Sequence, residues 1–190
     1  SSAPFHLYKF YGGEGGIRVP LILAGPGVKA SGIVDAPVHV TDLLPTILEA
    51  AKVPYEADSF YGRSVFPVLA GQAASSSVAD RGFGFEVSGN GALYRGKWKI
   101  TRNARPLGDA QWRLYDLSAD PGETTDVSAN NRAIFDSMLA EYNAYSKQVG
   151  VHELGPEDSA FSQLAKNLTE KALHKYWPYL VGFCLAVAAV

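Results

Sequence analysis

Leu7-Tyr8-Lys9-Phe10-Tyr11-Gly12-Gly13-Glu14-Gly15-Gly16-Ile17-Arg18-Val19-Pro20 sets a lysine beside two glycine pairs and ahead of an apolar run. Glycine tolerates positive φ and close main-chain approach. Gly12, Gly13, Gly15 and Gly16 therefore predict a turn whose amides come near a bound anion. Val19 to Ala24 is apolar and ends at Gly25-Pro26-Gly27, which predicts a strand buried on both faces and closed by a turn. Lys9 would then stand at the mouth of a sheet. On composition alone, a single lysine is a solvated surface charge.

Outward from this stretch, Val28 to Ala36 reads as a connection and Thr41 begins a helix. Thr41 or Asp42 can cap it and Pro45 falls in its first turn. Leu43, Leu44, Ile47, Leu48 and Ala51 share a face expected to pack on the sheet. His39 stands just before this helix. Without a second ligand or a carboxylate at useful spacing it reads as a satisfied packing residue and not as a base. Gln72 to Asp80 is small and polar, with Ser75-Ser76-Ser77, and predicts a boundary.

Beyond Asp80 the period changes to two. Phe83, Phe85 and Val87 alternate with small or polar residues, Gly89-Asn90-Gly91 signals a turn, and Ala92–Tyr94, Lys97–Thr101 and Trp112–Leu117 read as further strands. An antiparallel sheet with one aromatic face needs a cover. Ile134, Phe135, Met138, Leu139, Tyr142 and Tyr145 recur at helical spacing and supply it, with Gly150 placed to stop the helix. The acidic string Asp116 to Glu123 lacks the alternating Asp-x-Asp-x-Asp pattern of a calcium loop and reads as a turn.

Leu7-Tyr8-Lys9 followed by Glu14-Gly15-Gly16-Ile17-Arg18-Val19-Pro20 resembles the late active-site segment of the arylsulfatases, in the alkaline-phosphatase-like group. Leu114-Tyr115-Asp116-Leu117 with Asp120-Pro121-Gly122-Glu123 resembles a second, structural hallmark of the same family, and the resemblance covers roughly Leu7 to Val149. It implies the C-terminal part of an α/β sulfatase fold, with a small antiparallel sheet packed on a long C-terminal helix. It assigns contact with the sulfate group and the bridging ester oxygen to Lys9. Glu14, Gly15, Gly16 and Arg18 match the part that shapes the loop, and we read Glu14 with Arg18 as a structural ion pair. The family implies calcium and a formylglycine nucleophile. The Cys/Ser-x-Pro-x-Arg nucleophile motif is absent from this sequence, and no metal ligand is assigned here. Both are expected in a missing N-terminal sulfatase portion, and this piece alone is expected to be inactive.

The implied organisation is the end of the main domain with the lysine loop over 1–71, a linker over 72–80, the sheet-and-helix unit over 81–150 and an extension over 151–190. The implied substrate is a sulfate ester. The alternatives are a phosphodiesterase or phosphonate hydrolase of the same superfamily, or a non-catalytic membrane-tethered relic. A periplasmic or secretory-pathway location is what the family implies.

Composition narrows the partners. Seventeen basic side chains against nineteen acidic ones, with no basic stripe, give no basis for nucleic-acid binding. A single cysteine, Cys184, excludes an internal disulfide framework, and it sits in an apolar run as a small apolar residue. Gly155 to Ser159 reads as a linker, Phe161 to Lys175 as an amphipathic helix, and Asn167-Leu168-Thr169 as a glycosylation triplet. Tyr176 to Val190 carries no charge, and its Tyr176, Trp177 and Tyr179 beside Lys175 resemble a bilayer interface. As a helix this run covers about 22 Å against a hydrocarbon core of ~30 Å. Three readings stay open for it: a span that is cut short, an interfacial or buried apolar helix, and a non-native sequence.

Overall fold

A computed structural model describes residues 2–29, 31–34, 37–75, 81–155 and 160–188, without the side chains at 160, 161, 163, 164 and 180–188. In chain order the elements are α1 (Glu14–Ile17), α2 (Leu43–Ala50), α3 (Phe66–Leu69), β1 (Phe83–Val87), β2 (Asn90–Arg95), β3 (Trp98–Arg102), β4 (Trp112–Asp116), α4 (Arg132–Val149) and α5 (Ala160–Ala188). Short 3-10 turns occupy Val40–Asp42 and Ala57–Ser59.

The alternating segments form one antiparallel meander in the order β1-β2-β3-β4. Leu93 faces Ile100 and Ile100 faces Leu114, so one apolar row crosses the sheet. α4 lays Phe135, Met138 and Tyr142 on that row, and these six residues form the buried core. Each fully buried side chain of this size contributes about 1.5–3 kcal/mol, which is why the sheet needs its helix. α4 ends on Gly150, whose φ of 71° is left-handed and whose amide returns to the Ser146 carbonyl. The β1–β2 turn falls earlier than the glycines suggested. Ser88 and Gly89 have φ of 54° and 81°, as a two-residue type I′ turn requires, and Asn90 already belongs to β2.

The first half departs from expectation. Val19 to Ala24 forms no strand, and Val19 and Ile22 are 76% and 90% exposed. A doubly buried strand requires a neighbour on each side, and no described segment pairs with this one. α2 forms where predicted, but Leu44 and Ile47 stay exposed and do not pack on a sheet. Pro45 and Thr46 turn inward instead, and Thr46 Oγ1 accepts a hydrogen bond from the Val65 amide at 3.0 Å. Asp42 stands at the N-cap of α2, as expected, but its side chain makes no capping bond to that helix. His39 Nδ1 accepts from the Thr41 amide at 3.3 Å while Asp42 Oδ2 accepts from the His39 amide at 2.8 Å, a reciprocal box around the 3-10 turn.

The helix expected over Phe161 to Lys175 is part of the longer α5, which continues through Pro178. Its described side chains are exposed, where an amphipathic helix would bury one face. Among the described residues no helix is long and apolar enough to cross a membrane. The expected linkers lie partly outside the described residues, at 76–80 and 156–159.

Candidate functional site

Side chains alternate along a strand, so the face of the sheet turned away from α4 carries Tyr94 of β2 and Lys99 and Thr101 of β3. The segment holding Lys9 docks on this face. The Asn90 amide nitrogen Nδ2 donates to the Phe10 carbonyl at 2.6 Å, and the Gly12 amide donates to Asn103 Oδ1 at 2.8 Å. A turn closed by the Tyr11 amide on the Tyr8 carbonyl, at 3.2 Å, carries Lys9 outward. Its side chain is exposed, with Nζ 5.7 Å from the Phe10 ring centroid, and Tyr8 and Phe10 beside it are exposed as well. Tyr11, next along, turns inward and is 2% exposed, and burial pushes its hydroxyl pKa up. Lys9 is therefore not at the end of a strand formed by Val19 to Ala24. It stands on a loop pinned to the antiparallel sheet.

Beneath the loop is a buried charge network. Lys99 Nζ lies 2.8 Å from Glu14 Oε1 and 2.7 Å from Glu123 Oε1, and both the lysine and the Glu123 side chain are fully buried. The Tyr94 hydroxyl donates to Glu14 Oε1, and the Glu14 amide donates to Glu123 Oε2 at 2.6 Å. One cation thus faces two carboxylates, with a phenol and a main-chain amide supplying the remaining donors. Such a cluster is tolerated in a low-dielectric interior only when its members are paired and hydrogen-bonded. Burial, then the Glu14 charge, pushes the Tyr94 pKa well above its ordinary value, which keeps the hydroxyl a donor. Arg18 Nη1 does approach Glu14 Oε2, at 3.6 Å, but Arg18 is half exposed. The closer partners of Glu14 are Lys99 and Tyr94.

The glycines serve packing and do not form an anion nest. None of Gly12, Gly13, Gly15 and Gly16 has a positive φ. The amides of Gly12, Gly15 and Gly16 are engaged by Asn103, the His6 carbonyl and the Gly13 carbonyl. What forbids a side chain is space. A Cβ on Gly15 or Gly16 would stand 2.3 Å from the Leu7 carbonyl oxygen or 2.2 Å from that of Tyr11.

His39 is a packing residue. Its Nδ1 shares a 2.8 Å hydrogen bond with Thr41 Oγ1, its ring lies against Tyr61 and Phe83, and burial lowers its pKa. The Asp120 turn is also internally satisfied, Oδ2 accepting from the Thr124 and Thr125 amides at 2.7 and 2.8 Å. Among the described residues no three of His, Cys, Asp and Glu cluster to hold a metal. The two carboxylates tied into the Lys9 loop, Glu14 and Glu123, are occupied by Lys99. Calcium does not fit this donor set. Lys99 and Tyr94 were read from the sequence only as strand residues, and Glu123 only as the end of a structural hallmark. Alternation with Trp98 and Ile100 sets Lys99 on the face turned away from α4, which local pattern leaves to solvent; the docked loop buries it, so no local signal marked it.

The Sulfatase family model matches residues 1–53. An uncharacterized sulfatase of Schizosaccharomyces pombe is 34% identical over 159 residues, covering 80% of this chain and 29% of that protein. Arylsulfatase K of Gallus gallus is 32% identical over 133 residues, covering 64% of this chain and 24% of its own length. Choline-sulfatase of Rhizobium meliloti is 34% identical over 130 residues, 65% of this chain and 24% of that one. The crystal structure of Ps i-CgsB superimposes with a TM-score of 0.51 at 20% identity, over 71% of this chain and 29% of that chain, a likeness of fold. The chain spans under a third of the length of these relatives. The matched residues run through the lysine loop and its glycines, and several of the curated relatives align across most of the chain, sheet included; the chain belongs to the sulfatase family.

Proposed function

We infer that this chain is the C-terminal part of an arylsulfatase whose full-length form hydrolyses sulfate esters to an alcohol or phenol plus sulfate. The observation that carries this reading is Lys9, an exposed ammonium on a loop anchored by Asn90, Asn103 and the buried Lys99 cluster. An ammonium aimed at a sulfate ester neutralises charge on the sulfate oxygens and on the leaving oxygen as the ester bond breaks. Glu14, Gly15, Gly16 and Arg18 shape the loop that presents it. Ligands for calcium and the residue that becomes formylglycine would lie in sequence other than the residues described. An aryl sulfate offered to the 190-residue chain and to a longer sulfatase carrying it tests the reading. Turnover is expected only from the longer protein, and hydrolysis by the 190-residue chain, or a preference of the longer protein for an aryl phosphodiester, would overturn it.

We propose further that 176–190 contacts a membrane surface. Tyr176, Trp177 and Tyr179 are exposed on α5 beside Lys175, whose Nζ lies over the Tyr176 ring at 5.3 Å. Aromatic rings next to a cation suit the headgroup level of a bilayer. Flotation with phosphatidylserine-containing vesicles is expected for the whole chain and not for one ending at Gly150; equal flotation of both sinks the assignment.

A further inference from the structure

We propose that Lys99 is a positioning residue for Lys9: from the floor of the sheet it holds the lysine loop in register by bridging Glu14 of that loop and Glu123 of the turn after β4. The proposal rests on Lys9 facing the substrate and extends it. The sheet-and-helix unit then becomes part of the site's machinery, and its role is no longer only that of a C-terminal appendage.

Three observations point this way. The loop has few ties of its own, since α1 is one turn long and its glycines cannot carry side chains into a core. Beside the inward-turned Tyr11, the contacts that restrain it are polar and reach β2, β3 and the turn after β4, all far along the chain from the loop. Glu14 meets Lys99 and Tyr94 across 85 and 80 positions, and its amide meets Glu123 across 109. The geometry is also directional. A buried apolar contact would let the loop slide, whereas Lys99 Nζ donates to Glu14 Oε1 at 2.8 Å, Glu123 Oε2 accepts the Glu14 amide at 2.6 Å, and Lys99 holds Glu123 Oε1 by charge at 2.7 Å. Glu123 itself is held with φ of 55°, an unfavourable conformation for a non-glycine residue, which the network over-determines. Lys9 is five residues from Glu14, within the same hydrogen-bonded turn system. Loss of the Lys99 charge leaves two carboxylates in one buried site. The loop relieves this by leaving the sheet and taking Lys9 with it.

Hydrogen exchange on the whole 190-residue chain tests the docking. In Lys99→Met, peptides covering 8–18 are expected to exchange about tenfold faster or more, while those covering α4 keep their protection. Tyr94→Phe, which removes only the hydroxyl donated to Glu14, is expected to shift the same peptides in the same direction by less, and it serves if Lys99→Met does not fold. Lys9→Ala is expected to leave exchange unchanged. Unaltered exchange at 8–18 in both network variants, or uniform acceleration along the chain, overturns the proposal.

Turnover of an aryl sulfate by a longer sulfatase carrying this segment then separates positioning from general stability. Lys99→Met is expected to lower kcat with little change in KM, and to cause no further loss once Lys9 is already alanine. An equal loss in both backgrounds means that Lys99 acts apart from Lys9, and the positioning role falls. If Lys9→Ala leaves turnover untouched, the substrate-facing reading of Lys9 fails instead, and the exchange result still reports whether the loop is docked by Lys99.

Discussion

Lys9→Ala in a longer sulfatase carrying this segment is expected to reduce turnover of an aryl sulfate by about 10²–10³-fold, equivalent to ~3–4 kcal/mol of transition-state stabilisation. The magnitude follows from the environment. A freely diffusing ammonium adds little, because it must first be brought to the ester and oriented there. Lys9 projects from a turn whose backbone is held at Phe10 and Gly12, so bringing it to the ester costs little reorganisation. The loss should fall mainly on kcat, since charge on the leaving oxygen grows as the bond breaks and is small in the bound ester. Lys9→Arg keeps a cation with a different reach and should recover only part of the rate. Steady-state kinetics on the two variants check this, and an unchanged kcat/KM for Lys9→Ala removes the residue from the site.

Asp42→Ala is expected to destabilise the chain by about 3 kcal/mol, read from the urea midpoint of the 190-residue protein. Asp42 is fully buried and its two oxygens take the Arg81 guanidinium at 2.8 and 2.6 Å. The same oxygens accept the amides of Arg63 and His39, each at 2.8 Å. One carboxylate therefore joins the start of α2, the segment leading into α3 and the approach to β1. Removing it leaves a guanidinium and two amides without their acceptor. The value sits at the low end for a broken buried pair because Arg81 retains some access to water. Burial pushes the Asp42 carboxyl up, but the hydrogen bonds from Arg81, Arg63 and His39 outweigh it and the net pKa lies below the usual 3.8. A lowered folded pKa means stability present above about 3.8 and lost as the pH falls through the folded value. The native chain should therefore lose more stability than Asp42→Asn as the pH is taken from 5 towards 2. Parallel curves for the two proteins would assign the acid response to other groups.

The two hallmark strings were read from the sequence as separate features, one as a substrate loop and the other as a structural turn. In the structure they touch. Glu14 of the first and Glu123 of the second share Lys99, which is why a family resemblance found at two places in the chain corresponds to one piece of tertiary structure. Arg18, the partner the sequence suggested for Glu14, is four residues away at the C-cap of the same short helix, and nearest-neighbour reasoning finds such pairs easily. A pairing across 85 positions leaves no trace at that range.

Local patterning accounts for what was legible. The four strands, α4 and its glycine stop follow from alternation, helical spacing and turn chemistry, because each is decided by residues within a few positions and by a core those residues bury together. Val19 to Ala24 shows the limit. Its composition suits a buried strand, yet strand formation depends on hydrogen-bonding neighbours, and the described chain provides none. The glycines of the lysine loop show the same limit from the other side. Their number was evident, but whether they serve φ, an anion or close packing was decided by carbonyls of Leu7 and Tyr11 folded over them. Identity and periodicity are carried along the chain. Which buried charge meets which is carried by the fold, because desolvation makes an unpaired charge costly and only the packed protein determines which partner is within reach.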